Sequence, residues 1–328
     1  MRTDLRQIAI KVWSGGKFKV DLIEDYSCNK SFSYSVLHNV TLEVVKNEII
    51  IYSDDNSLAN QYPSIVFRKK YSVKSKEKKN MNEAYLIHAS YKEVYYHWIY
   101  DILPQLKILE FNSNAKIIIS PFTNNFQRDS LKLFCNIRNV YSENNTYSIE
   151  KLFLPFATTN LLVPKNFVYE FLTQKIRSKS SKYKNKIYIT RDRKFMRSIL
   201  NEKELIKILR SIGYIIYSLE DISFANQVDI FKNASVIISA HGSGLTNIVF
   251  CDPGTSILEI YGPGCGERCF ARISSHAMLK YSAFEVNEIS YQSFLHRLIY
   301  SFFPKLNRFD FKVDINDFSL CLQNNLSK

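Results

Sequence analysis

Three groups of residues in this chain combine types and spacings that chemistry needs. The first is Tyr95-Tyr96-His97-Trp98-Ile99-Tyr100-Asp101, where His97 and Asp101 stand four apart. On a helix that spacing sets them side by side. A carboxylate beside an imidazole can act as a general base or orient the ring for that role; it can equally be a plain contact at a helix end. The surrounding aromatic residues can stack on a sugar or fill a core. The second group, Thr190-Arg191-Asp192-Arg193-Lys194-Phe195-Met196-Arg197, follows the apolar Ile187-Tyr188-Ile189. Arginines at a strand end can hold phosphate oxygens in pairs, or belong to a solvated basic loop. The third group is glycine: six of the nine glycines lie between Gly242 and Gly266. A glycine turn that opens a helix at the carboxyl end of a strand offers N–H groups and a dipole suited to phosphate. The plainer reading is a tight turn without a ligand.

These groups fit none of the better-known fingerprints. Gly262-x-Gly264-x-Gly266 falls short of GxGxxG, and the acidic Glu259 precedes it. Gly242-Ser243-Gly244 is not a nucleophile elbow, because Ser243 is flanked directly by glycines. A GxxxxGK[ST] loop is also missing. The six cysteines (Cys28, Cys135, Cys251, Cys265, Cys269, Cys321) form no CxxC pair and no zinc spacing.

The elements that must carry these residues follow from the hydrophobic pattern. The first ~80 residues read as short strands: Phe18–Leu22, Val40–Val45, Glu48–Tyr52 and Ser64–Phe67. From Ala84 onward strands and helices alternate, with Ala84–Ala89 and Ala115–Ser120 as strands. Tyr95–Phe111, Asn125–Cys135 and Asn166–Arg177 have helical spacing, and Pro104 implies a kink in the first of these or a helix starting near it. After the Lys/Ser-rich stretch Ser178–Lys186, the strands Ile187–Thr190, Tyr214–Tyr217, Val236–Ser239 and Ser256–Tyr261 alternate with the helices Glu202–Ser211, Phe224–Lys232 and Gly244–Phe250. Continuous apolar strands in such alternation predict a parallel sheet covered on both faces. Two α/β domains, 1–178 and 179–328, are the economical division, the second with a helical tail.

Length and charge bound the rest. A chain of 328 residues that is 46% hydrophobic needs no covalent staple to hold its core. No stretch approaches a membrane span, and the N-terminus lacks the apolar block of a signal peptide, so a reduced, cytoplasmic protein is expected. The net charge of +13 points to anionic partners: nucleic acid, an anionic membrane surface or a phosphorylated small molecule. Basic runs at 68–79 and 175–197 carry much of it, without any signature of nucleic-acid recognition.

Taken in order, the motifs resemble a known family. They are His97-Trp98-x-x-Asp101-x-Leu103-Pro104, then Ile187-Tyr188-Ile189-Thr190-Arg191…Arg197…Asn201-Glu202, then Phe224…Gln227-Val228…Phe231. Last comes Ala240-His241-Gly242-Ser243-Gly244-Leu245-Thr246-Asn247-Ile248-Val249-Phe250…Pro253-Gly254…Leu258-Glu259. The set is similar to glycosyltransferase family 61, over roughly Ala84 to Val286, with Ser243 where the family usually has Ala. That family includes bacterial capsular-polysaccharide transferases, animal O-linked N-acetylglucosaminyltransferases and plant pentosyltransferases.

The resemblance implies a GT-B architecture: two Rossmann-like doubly wound domains facing each other across a cleft. It implies an inverting transfer from a nucleoside-diphosphate sugar, UDP-linked for preference, without a metal or other cofactor. Arg191, Arg197, His241, Gly242, Ser243, Gly244, Leu245, Thr246 and Asn247 would bind the donor, its diphosphate held by Arg191, Arg197, the N–H groups of Gly244 and its neighbours and Thr246, and Glu259 would accept the ribose hydroxyls. Asp101 would be the general base, with His97 as alternative or acceptor-binding partner. The expected acceptor is a glycan, on a lipid carrier in surface polysaccharide synthesis, with the basic surface against an anionic membrane. A non-catalytic nucleotide- or polyanion-binding protein on the same fold is the alternative.

Overall fold

Runs such as Val236-Ile237-Ile238 and Ile257-Leu258 carry no polar alternation, so both their faces must be covered. The computed structural model builds on such strands. It describes residues 6–25, 32–46, 48–54, 57–62, 64–69, 77–156, 159–160, 163–164, 166–175, 184–191, 198–263, 268–286 and 310–326. The chain divides into two compact units, one of Cys28–Ile176 and one of Met1–Ser27 with Arg177–Lys328.

The chain opens on a hairpin, β1 (Arg6–Ser14) and β2 (Lys17–Asp25). Gly15 and Gly16 close it with φ of 60° and 77°, a left-handed pair that only glycine adopts cheaply. Six strands follow: β3 (Tyr34–Val45), β4 (Glu48–Tyr52), β5 (Val66–Arg68), β6 (Lys79–Leu86), β7 (Ile117–Ile118) and β8 (Val140–Tyr141). A seventh, β9 (Asn145–Pro155), completes the sheet of the N-terminal unit, in the order β5-β4-β3-β9-β6-β7-β8. Its second half, β9-β6-β7-β8, is parallel, while β3 runs antiparallel to both β4 and β9. The expected doubly wound sheet is therefore a mixed one, because the β-rich opening segment joins it instead of standing apart. After a short ribbon, β10 (Thr159–Asn160) with β11 (Val163–Pro164), the unit ends in the helix Asn166–Lys175.

The helical turns between β6 and β7 are uneven. Here α1 (Tyr95–His97) widens into a π-type turn, Trp98–Ile102, then tightens into a 3-10 run, Leu103–Glu110. Pro104 sits in the first turn of that tighter run, where its missing N–H costs nothing. Trp98, Ile99, Tyr100, Ile102 and Leu103 are all buried, Trp98 beside Phe126 and Tyr100 beside Tyr169. Between β7 and β8 lies α2 (Asn125–Phe134), and the helix Asn166–Lys175 is α3.

The second unit carries β12 (Asn185–Ile189), α4 (Glu202–Ser211), β13 (Tyr214–Tyr217), α5 (Phe224–Lys232), β14 (Ala234–Ala240) and β15 (Ser256–Tyr261). It continues with α6 (Cys269–His276), β16 (Lys280–Glu285) and a closing helix, α7 (Ile315–Leu326). Its sheet runs β13-β12-β14-β15-β16-β1-β2, parallel except for β2 at the edge. The hairpin expected in the first domain is thus part of the second: β1 pairs in parallel with β16, Lys11 opposite Ser282. Apolar contact explains the change. Ile10 and Val12 pack with Tyr261, Ala271 and Ala283, while Trp13 enters the core with Leu258, Ile260 and Phe284. The Trp13 indole N–H also donates to Asp317 of α7, 2.8 Å away.

Among the described residues, no helix is long and apolar enough to cross a membrane.

Candidate active site

In a parallel sheet of order β13-β12-β14-β15-β16, the connections leave in opposite directions from β12 and β14. A crevice therefore opens outside their carboxyl ends. Both arginine and glycine motifs reach that point. Tyr188 and Ile189 are buried in β12, and the Thr190 N–H bonds the Tyr217 carbonyl, which delivers Arg191 to the strand end. Glu202 steadies it: one carboxylate oxygen accepts from the Tyr188 hydroxyl at 2.8 Å and from the Arg191 backbone N–H at 3.3 Å. The Arg191 guanidinium donates to the His241 carbonyl at 3.0 Å. It lies so close over Gly242 that any side-chain carbon there would collide with it. Glycine at 242 is thus a matter of close approach, since the backbone there is extended.

From Gly242 the chain enters a 3-10 run, Ser243–Phe250, whose first N–H groups have no partner inside the run. Ser243 is exposed and Gly244 partly so, whereas Leu245, Thr246 and Asn247 are fully buried. The Asn247 amide donates to Gln227 at 2.9 Å, and Gln227 in turn donates to the Leu219 and Ile222 carbonyls. These side chains hold the loop in shape. The groups that the loop can offer an anion are backbone N–H groups and the Ser243 hydroxyl.

His241 has its own support. Its Nδ1 lies 2.5 Å from Glu259 Oε1, and the Tyr281 hydroxyl donates to Glu259 Oε2 at 2.5 Å. Since an ionised carboxylate only accepts, Nδ1 carries the proton of that bond and Nε2 occupies the ring edge away from Glu259. Glu259 has no exposed surface. The expectation that it accepts ribose hydroxyls is therefore corrected: both its oxygens are taken, inside the sheet, by His241 and Tyr281. Burial and the Glu259 charge push the Tyr281 hydroxyl well above its ordinary pKa, so it remains a donor.

Tyr261 and Phe270 pack against the imidazole, with ring centroids 5.1 and 5.4 Å away. Arg268, just before α6, lies 4.3 Å over the Tyr261 ring and pairs with Glu285. Burial opposes the Arg268 charge, but Tyr261 and Glu285 outweigh it and hold the guanidinium protonated. Tyr281 and Arg268 escaped the sequence reading. Only the glycine cluster just ahead of Arg268 hinted at it, and nothing near Tyr281 marks it. Arg197 lies outside the described residues, as do Gly264 and Gly266.

The N-terminal unit holds the other motif. His97 Nδ1 and Asp101 Oδ2 are 2.7 Å apart across the start of the π-type turn, both side chains about one-fifth exposed or less. The Asp101 carbonyl accepts from the Gln105 amide at 2.6 Å, and Gln105 also bonds the His88 backbone at the end of β6. Tyr96, Trp98 and Tyr100 are buried, the indole donating to Ser130 at 2.7 Å; they fill core and do not line a sugar site. Burial lowers the pKa of His88, and its ring nitrogen bonds the Ser64 carbonyl, so it serves as a neutral brace. Among the described residues, no three His, Cys, Asp or Glu side chains cluster as a metal site would require.

Arg191, His241 and a helical turn meet at one switch point, and guanidinium and turn N–H groups are of the kind that can hold an anion. His97 with Asp101 forms a hydrogen-bonded pair on the other unit. Known proteins are similar to this chain. A sequence profile of glycosyltransferase 61 matches residues 95–258, half of the chain. The bovine EGF domain-specific O-linked N-acetylglucosamine transferase is 27% identical over 125 residues, 36% of this chain and 23% of that protein. Its Drosophila melanogaster counterpart is 31% identical over 108 residues, 32% of this chain and 20% of that one. A protein O-linked-mannose beta-1,4-N-acetylglucosaminyltransferase 2 from Takifugu rubripes is 33% identical over 87 residues, 26% of this chain and 15% of its own length. The chain thus spans less than a quarter of the curated relatives it matches. On the profile match and the ordered motifs, the chain belongs to glycosyltransferase family 61.

Proposed function

We propose that this protein is an inverting glycosyltransferase that moves a sugar from a UDP-linked donor to a hydroxyl of a glycan acceptor without a metal. The observation that carries the reading is the meeting of Arg191, Gly242 and the His241 carbonyl at the β12/β14 switch point. A departing diphosphate gathers negative charge, and fixed donors aimed at it stabilise the transition state. The Arg191 guanidinium and the first N–H groups of the 243–250 turn supply those donors, joined by His241 when its Nε2 also carries a proton. Asp101, hydrogen-bonded to His97, takes the proton of the acceptor hydroxyl as it attacks. In this reading the two units are the halves of a GT-B enzyme, donor on the C-terminal one and acceptor on the other. The relatives' names make N-acetylglucosamine the first donor sugar to test. The +13 charge suits a cytoplasmic enzyme working beside an anionic membrane in surface polysaccharide synthesis.

Release of UDP from UDP-sugars, with and without a mixture of glycan acceptors and with excess chelator, tests the proposal. Acceptor-dependent release that survives chelation is expected. Binding of UDP without any turnover would replace the enzyme with a nucleotide-binding protein. Loss of turnover on chelation, restored by manganese, would overturn the metal-independent mechanism.

A further inference from the structure

We propose that Tyr91 is a stacking platform for a neutral sugar ring of the acceptor, set beside the His97–Asp101 pair. The inference rests on the function proposed above and names the ligand class of its acceptor site. Tyr91 lies in the turn that leads from the carboxyl end of β6 to α1. Its φ is 60°, in the left-handed region. A bulky aromatic residue is an outlier there, and glycine would take the same conformation without steric cost.

Core packing does not explain the residue, because Tyr91 is 69% exposed. The turn nonetheless holds it firmly. The Tyr91 carbonyl accepts from the Val94 N–H at 2.9 Å. The next residue, Lys92, is only 4% exposed; its Nζ donates to the Pro121 carbonyl at 2.6 Å, and its own carbonyl accepts from Gln127 at 3.0 Å. Strain that the surroundings over-determine in this way gathers at functional sites. The ring it displays is 5.5 Å from the His97 ring, whose Nδ1 bonds Asp101.

The surrounding charge narrows the ligand. Asp101 and the exposed Glu93 are acidic, and the neighbouring Lys92 is turned inward onto a carbonyl. An anionic ligand is disfavoured there. A sugar ring offers an apolar C–H face to the tyrosine and hydroxyls to the imidazole and carboxylate, which matches the pairing of an amphipathic aromatic with polar groups.

The test compares Tyr91→Gly and Tyr91→Phe with the wild-type chain. Methyl glycosides of glucose, galactose, mannose and N-acetylglucosamine serve as acceptors, with UDP-N-acetylglucosamine as donor. Saturation-transfer NMR of the same glycosides, without donor, gives a second readout. Tyr91→Gly should raise the acceptor KM about tenfold or more, the scale of one lost aromatic contact. UDP affinity and kcat at saturating acceptor should change little, and the melting temperature should hold or rise, since glycine removes the strain. Tyr91→Phe should keep the wild-type KM. An unchanged KM in Tyr91→Gly would overturn the platform, and so would a melting temperature that falls in step with activity, which marks a structural tyrosine. If the wild-type chain transfers nothing, the proposed function fails, and NMR decides the platform alone: saturation of the glycosides that disappears in Tyr91→Gly supports it, and absence of saturation in the wild type overturns it.

Discussion

Glu259 and Arg191 both bond His241 but relate to their surroundings in opposite ways. Arg191 ends a strand and approaches glycine, so its role is written locally: an apolar run, an arginine, and, 51 positions on, a glycine whose open side the guanidinium occupies. Arg191→Ala should weaken UDP binding by about 1.5–3 kcal/mol, the scale of a charged hydrogen bond, as isothermal titration would show. Unaltered affinity would separate this segment from the phosphate. Glu259 was legible as a residue near the site but not in its function, because its partner Tyr281 comes from a strand that the sequence reading did not assign. If it orients His241, Glu259→Gln should lower affinity for UDP while leaving that for uridine unchanged. A ribose contact would instead weaken both equally. Asn247 offers a similar lesson: its place in the motif suggests a ligand, while its complete burial against Gln227 makes it a brace.

Among the elements, the legible ones are those whose pattern is local. β13, β15, α4 and α5 occupy the very residues that periodicity predicts, and the 243–250 turn begins within one residue of its expected start. β9 was not assigned, although it lies in the centre of its sheet. Its residues Asn145–Pro155 mix buried and exposed positions irregularly, so no strict alternation marks them as a strand, and its partners β3 and β6 run in opposite directions. The helix expected over Tyr95–Phe111 exists as three kinds of turn. That unevenness has a chemical side: a wide turn after His97 holds Asp101 within hydrogen-bond reach while Pro104 starts a tighter run. Such widened turns recur at functional sites. Asp101→Asn keeps the shape and removes the basicity, so turnover should fall at least ~100-fold with the melting temperature and UDP binding kept. Normal turnover would move the base elsewhere, with His97 or Glu93 next to test, and unfolding would make Asp101 a structural partner of the turn.

For the whole molecule, the sequence pointed to two α/β units and to a boundary near residue 178, where compactness also changes at Arg177. It did not show that the second unit is discontinuous, because parallel pairing between β1 and β16 leaves no local mark. The consequence is testable by dissection. A fragment of residues 177–328 exposes the β16 edge and the apolar surface that Ile10, Val12 and Trp13 cover. It should aggregate or melt well below the full chain, and joining residues 1–25 to its N-terminus by a flexible linker should restore a cooperative transition in circular dichroism. A stable, soluble 177–328 fragment would show the hairpin to be dispensable. The same pairing sets a timetable for biosynthesis. Lys11 pairs with Ser282, 271 positions later in the sequence, which at ~5–20 residues per second of synthesis is a wait of tens of seconds. An isolated two-stranded hairpin is marginal in water, and this one carries Val20 and Leu22 in the open. The nascent chain therefore completes the whole of its middle unit while its first strands are still without their sheet, and it is in that interval that a chaperone has most to protect.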